Sequence, residues 1–568
     1  MIVRMWEMAL LQYDYVIVGA GSAGCVLANR LSAGNATVVL LEAGPDTPPS
    51  RVPADIQDIY PRSYYNDAYM WRGLTADQGG DGMGGHTRYT QARVMGGGSS
   101  VMGMIALRGI PGDYDRWASH GAEGWSWGEV LPYFRMIEHD RDFGGPLHGA
   151  DGRVSIRRHL PEDWPPFSRA IAEAAKRTGL PYVQDFNAEF EDGYGSLPLS
   201  STLSSRITSS SAYLDAETRA RPNLTIACNT LVEQLEFDGS RCVGVTTVSA
   251  GARQVYRSSQ TILCAGAIHS PTLLMRSGIG PQDHLTRLGI RVLDDLPAVG
   301  ANLQNHPIVY LGAHITREAR QAPWLRPGFN AGLRFSSGLH GGCSDLQMLI
   351  LNKSSWHGLG ASVAGLGVCL TQPFSRGTVR LVSSDPHVLP AVSFRMLTER
   401  GDRERMIEGF RRAAELMLDD EVRALRNETF AAGYSRVVRR LNEPGASNVV
   451  VTKVLARLLD GPSVVRKTML RWGIASGDVS EERLSDEGWI AGTVRSHTFG
   501  TYHPAGTCAL GAAGDGDAVV DPRTRVIGTE GLRVVDASVM PHIPRGNTNL
   551  PVMMVAERAA ALILEDDS

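Results

Sequence analysis

Tyr13 to Gly44 reads YDYVIVGAGSAGCVLANRLSAGNATVVLLEAG, and the fold is decided within it. Tyr15 to Val18 is a β-branched apolar run ending in Gly19-Ala20-Gly21-Ser22-Ala23-Gly24. A helical pattern follows through Cys25, Val26, Leu27, Ala28 and Leu31; Gly34-Asn35 breaks it, and Thr37 to Leu41 reads as a second buried strand ending at Glu42-Ala43. Each part has a task. Gly19 permits the tight turn, Gly21 lets a pyrophosphate reach the backbone, and Gly24 lets the helix pack closely on the strand. The helix opening at Ser22-Ala23 offers unpaired N–H groups and the positive end of its dipole to phosphates. Glu42 can accept hydrogen bonds from a ribose diol. An acid there disfavours a 2′-phosphate, so FAD or NAD fits and NADP does not. The glycine pattern alone is weak evidence; with both strands, the helix and the acid it indicates dinucleotide binding in an α/β fold.

At 568 residues the chain holds two or more structural domains. Apolar content of 43% and charged content of 20% are ordinary for a globular protein. A net charge of −4 gives no electrostatic case for nucleic acid or an anionic membrane. No apolar run approaches the ~20 residues of a membrane span, and MIVRMWEMALLQYDY makes a poor signal peptide. Seven scattered cysteines without a CxxC pair argue against disulfides and a zinc site. The expectation is a cytoplasmic protein with no metal.

After Glu42, the stretch to about Gly85 reads as an extended cover over the nucleotide site. Arg93-Val94-Met95-Gly96-Gly97-Gly98-Ser99-Ser100-Val101-Met102 supplies close backbone approach and free N–H groups, or else a plain tight turn. A small-residue helical stretch to Arg108-Gly109 is expected after it. Asp113 to His139 reads as helical, with Trp117, Trp125, Trp127 and Phe134 as core. Phe167 to Arg177 reads as an amphipathic helix, and Asn223 to Thr247 as antiparallel strands. A strand at Thr261–Cys264 runs into Ala265-Gly266, with Ser270 as helix N-cap and Pro271 in its first turn. From Val309 to Gly488, strands at Leu346–Leu351, Ala364–Leu370 and Thr378–Val382 precede helices at Arg403–Leu418 and Val450–Leu459, an α+β pattern. Glu421 to Ala475 is helical and Arg-rich, a solvated face or an oligomer contact. The strand Leu532–Val535 ends in Asp536, so the chain returns to its first domain, and a helix over Val552–Leu564 closes it.

These pieces resemble one family, the glucose-methanol-choline (GMC) oxidoreductases, over nearly the full length. Five separated motifs carry the resemblance: Gly19 to Gly24 with Glu42; Gly96 to Gly109; Gly266 to Gly280; Val299 to His306; and His503 with Asn547. DYDRW, GWSWGEVLPYF and NTNLP resemble its bacterial choline-dehydrogenase-like and hydroxymethylfurfural-oxidase-like members. The resemblance implies FAD and a glutathione-reductase-like Rossmann domain at 12–158, 215–308 and 489–568. A substrate domain built on an antiparallel sheet is implied at 159–214 and 309–488. It places Gly19, Gly21, Gly24 and Glu42 on the ADP half of FAD. Arg93, Gly97, Gly98 and Ser99 lie along the pyrophosphate and flavin, and Val232 beside adenine. Ala265 and Gly266 line the cofactor, with Asp536 and Ala537 at the phosphate–ribityl region and Thr548 beside the flavin. His503 matches the catalytic histidine and Asn547 the second catalytic position. Val101 stands where some members carry a histidine bonded to the flavin, so noncovalent FAD is expected. Met102 replaces the usual Asn and lacks its amide donors, a departure that bears on substrate geometry.

The implied chemistry is oxidation of a primary alcohol, with small aromatic or furanic alcohols favoured and oxygen or another acceptor taking the electrons. The hydroxyl proton needs a base near neutral pKa, which suits His503, and Asn547 can fix the substrate oxygen. An FAD-containing hydroxynitrile lyase is the alternative on the same fold. Choline is disfavoured for want of a carboxylate and aromatic cage. His269, His306, His497 and His542 read as packing or supporting residues; Tyr502, Trp71 and Phe374 are candidates for the pocket wall. A homo-oligomer is compatible with the sequence.

Overall fold

The computed structural model describes residues 11–79, 86–433, 436–474 and 480–567. Two sheets organise them. The first has seven strands, with Leu11–Val18 at its centre between Ala252–Leu263 and Val38–Leu41, all parallel. Val16, Ile17 and Val38 to Leu40 are fully buried, as continuous apolar strands covered on both faces must be. Leu532–Val534 adds to the far side of Ala252–Leu263, again parallel, which returns the chain to its starting sheet as expected. The Ser22–Leu31 helix is buried along most of its length and packs against the closing helix Asn549–Asp566. There the buried Glu557 accepts from Arg30 and from the Tyr213 hydroxyl.

The structure differs from the sequence reading in three places. Leu224–Ala227 is a parallel edge strand beside Val38–Leu41; only Leu231–Asp238 and Arg241–Ser249 form the antiparallel hairpin. Residues 103–109 are not helical. Met104 has φ 65°, and the segment bonds sideways, Ala106 N–H to the Pro198 carbonyl and Ser200 N–H to the Met104 carbonyl. The helix after Cys264 begins at Gly266, a turn earlier than a Ser270 cap implies. The Ser270 hydroxyl instead accepts from Ala265 N–H and donates to Asp536. Pro271 therefore lies inside the helix and cannot bond the Ala267 carbonyl. The Thr507 hydroxyl donates to that carbonyl at 2.7 Å.

The second sheet runs Arg426–Ala431, Pro307–Ile315, Val363–Leu370, Leu346–Leu351, Phe329–Phe335, Gly193–Ser196, antiparallel throughout. Phe499–Gly500 pairs with Pro307 and Ile308. Its two faces differ. Ala364, Leu366, Val368 and Leu370 pack in one core with Met406, Phe410 and Ala413 of the Arg400–Leu418 helix. The alternate residues Val363, Gly365, Gly367 and Cys369 include two glycines that neighbouring atoms cover closely. A Cβ at Gly367 would stand 2.5 Å from the Tyr310 ring, and one at Gly312 2.6 Å from the Phe430 ring, so these aromatics lie flat on glycine backbone.

Beyond this sheet, helices Arg436–Asn442, Ala446–Leu459 and Ser463–Met469 expose Val437, Val450, Val451, Val454, Leu458 and Val464. The outer face of this Arg-rich stretch is thus partly aliphatic. Among the described residues no helix is long and apolar enough to cross a membrane.

Candidate active site

Two cavities meet between the sheets. The first is a cleft at the carboxyl ends of the parallel strands, where dinucleotides bind in open α/β sheets. Gly19, Gly21, Ser22, Ala23, Glu42, Ala43, Gly97, Gly98, Met102, Val232, Ala265, Gly266, Asp536, Ala537 and Thr548 all line it. Sequence positions more than 500 residues apart are thereby brought to one place. Arg93 stands behind the wall, donating to the Ala43 carbonyl at 3.0 Å and stacked on Trp71. Ser99 and Val101 line the second cavity.

The cleft fits a dinucleotide. A Cβ at Gly24 would stand 1.9 Å from the Gly19 carbonyl oxygen, and one at Gly97, where φ is 54°, 2.8 Å from Gly21 Cα. The glycines thus bring helix, strand and second loop into contact. The Ser22–Leu31 helix has no side-chain cap, which leaves its first N–H groups for a phosphate. Both Glu42 oxygens accept backbone N–H bonds, from Ala20 at 2.9 Å and Gly44 at 2.8 Å, and burial raises its pKa. Asp536 is likewise occupied, accepting from Gly266 N–H, Ser270 and Ser538. It anchors the N-terminus of the Gly266–Arg276 helix at the cleft.

The second cavity, about 1140 Å³, adjoins the cleft and shares Ser22, Gly98, Met102, Tyr502, Thr548 and Val552 with it. His503 and Asn547 stand in its wall at that junction. Tyr502 has φ 64°, a left-handed conformation uncommon outside glycine; its hydroxyl lies 2.6 Å from that of Tyr64. This turn projects His503 from an irregular segment. Asn305 Oδ1 accepts from His503 N–H at 3.0 Å.

The imidazole has defined partners on both sides. Nδ1 is 2.9 Å from Thr501 Oγ1 and 3.0 Å from His306 Nδ1. The Thr501 hydroxyl donates to the His306 carbonyl, so its oxygen is left to accept. That places the His503 proton on Nδ1 and leaves Nε2 as a lone pair, 3.2 Å from Asn547 Nδ2. Burial pushes the His503 pKa down to about 4, so the ring is neutral at ordinary pH. Burial and the neighbouring His503 also hold His306 well below the usual range. Of the two roles the sequence allows for His306, packing or supporting, its contact with His503 makes it a supporting one. Sequence reasoning does not single out Arg206, which is buried, pushed down to about 10 by desolvation, and donates to the Ser99 and Met102 carbonyls.

Of the remaining candidates, Tyr502 lines both cavities and Trp71 the cleft. Phe374 does neither; it is half exposed and packs under the Arg405 guanidinium. Among the described residues one group, Glu138, Asp140 and His148, brings metal-type ligand atoms together. Arg108 and Arg158 pair with its carboxylates.

Residues 13–308 and 373–556 match the N- and C-terminal family models for GMC oxidoreductases. The chain belongs to this family and is an FAD-dependent alcohol oxidoreductase. It is 37% identical to a 5-(hydroxymethyl)furfural oxidase of a Methylovorus species, covering 97% of this chain and 98% of that one. It is 32% identical to an oxygen-dependent choline dehydrogenase of Photobacterium profundum, covering 97% and 93%. The fold superposes on a pyridoxine 4-oxidase from Mesorbium loti with TM-score 0.80 at 27% identity, covering 97% and 99%.

Proposed function

We propose that the protein oxidises a primary alcohol to the aldehyde, with His503 as base and Asn547 as the group that holds the substrate oxygen. The observation that carries this is the unprotonated His503 Nε2, 3.2 Å from the Asn547 amide nitrogen, at the junction of cleft and cavity. A hydroxyl inserted there gives its proton to Nε2 and accepts from Asn547 Nδ2. Noncovalent FAD in the cleft supplies the hydride acceptor, with Val101 offering no nucleophile for a covalent link. The ADP half lies on Gly19, Gly21, Gly24 and Glu42, and the flavin beside Gly97, Gly98, Met102 and Thr548. The same reading assigns 12–158, 215–308 and 489–568 to the cofactor, and 159–214 and 309–488 to the substrate. All seven cysteines are free, which supports a reducing, cytoplasmic setting.

An aromatic or furanic alcohol is favoured. Tyr64, Tyr65, Tyr310, Phe329 and Phe430 wall the cavity, and no Asp or Glu is among its described lining residues, which weighs against a quaternary ammonium. Similarity to a hydroxymethylfurfural oxidase and to a pyridoxine 4-oxidase supports the same reading. The test is anaerobic addition of benzyl alcohol and hydroxymethylfurfural to the flavoprotein, then air. Bleaching of the flavin band is expected; rapid return of colour with peroxide makes oxygen the acceptor, slow return another one. No bleaching with any alcohol would refute the reading and favour a lyase.

A further inference from the structure

The cavity is longer than a furanic or benzylic alcohol needs. Its catalytic end is marked by Ile308, two residues beyond His306, which pairs with Cys369 on the neighbouring strand and with Phe499. From Cys369 the lining continues along the same strand through Gly365 to Val363, and then to Leu359 and His357. The seven strand residues from Cys369 to Val363 span ~20 Å at ~3.3 Å per step. Gly365 lines it directly, and the Tyr310 ring, lying on Gly367, lines it as well. Phe329, Leu349, Leu351 and Phe430 wall it. The residues shared with the cofactor cleft, Gly98, Met102 and Thr548 among them, stand with His503 at the opposite end.

The far end turns polar. His357 is 7% exposed, and its Nδ1 accepts from Gly360 N–H at 3.2 Å. The proton therefore sits on Nε2, which makes no hydrogen bond of good geometry among the described residues, although the Asn442 side chain is close enough to favour its protonated form. Beside it the Ser355 hydroxyl donates to the Asn442 side-chain oxygen, and Asn442 Nδ2 donates to the Val438 carbonyl at 2.7 Å. All three side chains line the cavity. A buried N–H donor left unpaired costs free energy, and a ligand group that accepts from it recovers that cost. Burial pushes the His357 pKa down to about 4, and the Asn442 side chain opposes this only in part. The donor is therefore neutral and suits a hydroxyl, ether or carbonyl oxygen better than a carboxylate.

We propose that His357, with Ser355 and Asn442, forms a distal subsite that binds a neutral hydrogen-bond-accepting group of an elongated, mostly apolar alcohol whose carbinol end lies at His503. The subsite rests on the reading of His503 as the oxidation centre, and the test separates the two. Affinity is measured from perturbation of the flavin spectrum, and kcat/KM from turnover, for dodecanol and for the terminal diols butanediol, octanediol and dodecanediol. Dodecanediol should bind about tenfold more tightly than dodecanol, the worth of one hydrogen bond to a buried neutral donor, and kcat/KM should rise from butanediol to dodecanediol. In His357→Phe the dodecanediol-to-dodecanol ratio should fall to about one, while His357→Gln, which keeps an N–H donor, should retain part of it. An unaltered flavin spectrum in each variant shows that the fold is kept.

Equal binding of dodecanol and dodecanediol by the wild type, or an undiminished ratio in His357→Phe, overturns the subsite. If dodecanediol binds with the expected preference, loses it in His357→Phe and is not oxidised, the subsite stands and the alcohol-oxidation reading falls.

Discussion

The protein buries two histidine clusters and treats them in opposite ways. His503 and His306 face each other across 3.0 Å with a threonine hydroxyl and an asparagine amide as further partners of His503. Nothing there is negatively charged, so burial wins and both rings stay neutral. His148 is as well hidden, but its nitrogens lie 3.3 Å from Glu138, 3.2 Å from Asp140 and 2.7 Å from Asp185. Burial opposes its charge, yet the three carboxylates outweigh that and raise the pKa to about 10. Arg158 bridges Asp140 and Asp185, and Arg108 holds Glu138. Burial alone therefore does not mark a catalytic histidine. The carboxylates decide: without them a buried ring keeps the lone pair a base needs, and with them it becomes a fixed cation in a structural network.

The largest expected effect comes from removing the unprotonated nitrogen. His503→Ala should lower kcat/KM for a reactive alcohol by ~10²–10⁴-fold with flavin content and thermal midpoint nearly unchanged. Turnover within threefold of wild type would move the base elsewhere. The structural cluster should answer the other way. Arg158→Met leaves Asp140 and Asp185 buried without their shared cation, and stability should fall by about 3–5 kcal/mol. Denaturant unfolding of the flavoprotein checks this, and a loss under 1 kcal/mol would show that the cluster admits water.

The pH responses should separate as well. His503, held at about 4 against 6.5 for a free imidazole, stays unprotonated as pH falls through 6.5. kcat/KM should therefore stay level through 6.5 and decline only towards about 4; an acid limb near 6.5 would show a solvated ring. His148 is raised above its unfolded value, so its contribution to stability is complete below 6.5 and is lost as pH rises through about 10. His148→Gln should flatten the alkaline limb of the stability profile and leave the acid limb of the activity profile in place.

How much of this was legible in the chain follows from how local each feature is. The nucleotide-binding turn is written in consecutive residues, because Gly19, Gly21 and Gly24 each answer a steric demand within one strand–turn–helix unit. Apart from Thr501, the partners of His503 are not: His306 lies 197 residues before it and Asn547 44 after it, and only a family pattern links Asn547 to it. The sequence shows Ala364–Leu370 as a strand but not which of its faces is covered. Its small face is visible in Gly365 and Gly367, but whether a small face meets a helix or an empty space depends on the partner layer. Ser270 misled because a serine before a proline is a strong helix-start signal. Tertiary bonds from Asp536 and Thr507 allow the helix to begin a turn earlier.

That last bond gives the smallest predicted effect and isolates the neutral side of the comparison. Thr507 lies four residues after His503, in the same irregular segment, and donates to the Ala267 carbonyl that Pro271 leaves without its helical partner. Thr507→Val keeps the side-chain shape and removes only the donor, leaving one buried acceptor unpaired at a cost of about 1–2 kcal/mol. No charge is involved, so the thermal midpoint should drop by the same small amount across the pH range in which Arg158→Met changes the pH dependence. The apparent pKa governing kcat/KM should not move, because the bond touches neither nitrogen of His503. A shifted acid limb in Thr507→Val would mean that the segment carrying His503 takes its geometry from this bond as well as from Thr501 and Asn305, and that the lone pair of the base is set by the backbone of a neighbouring helix.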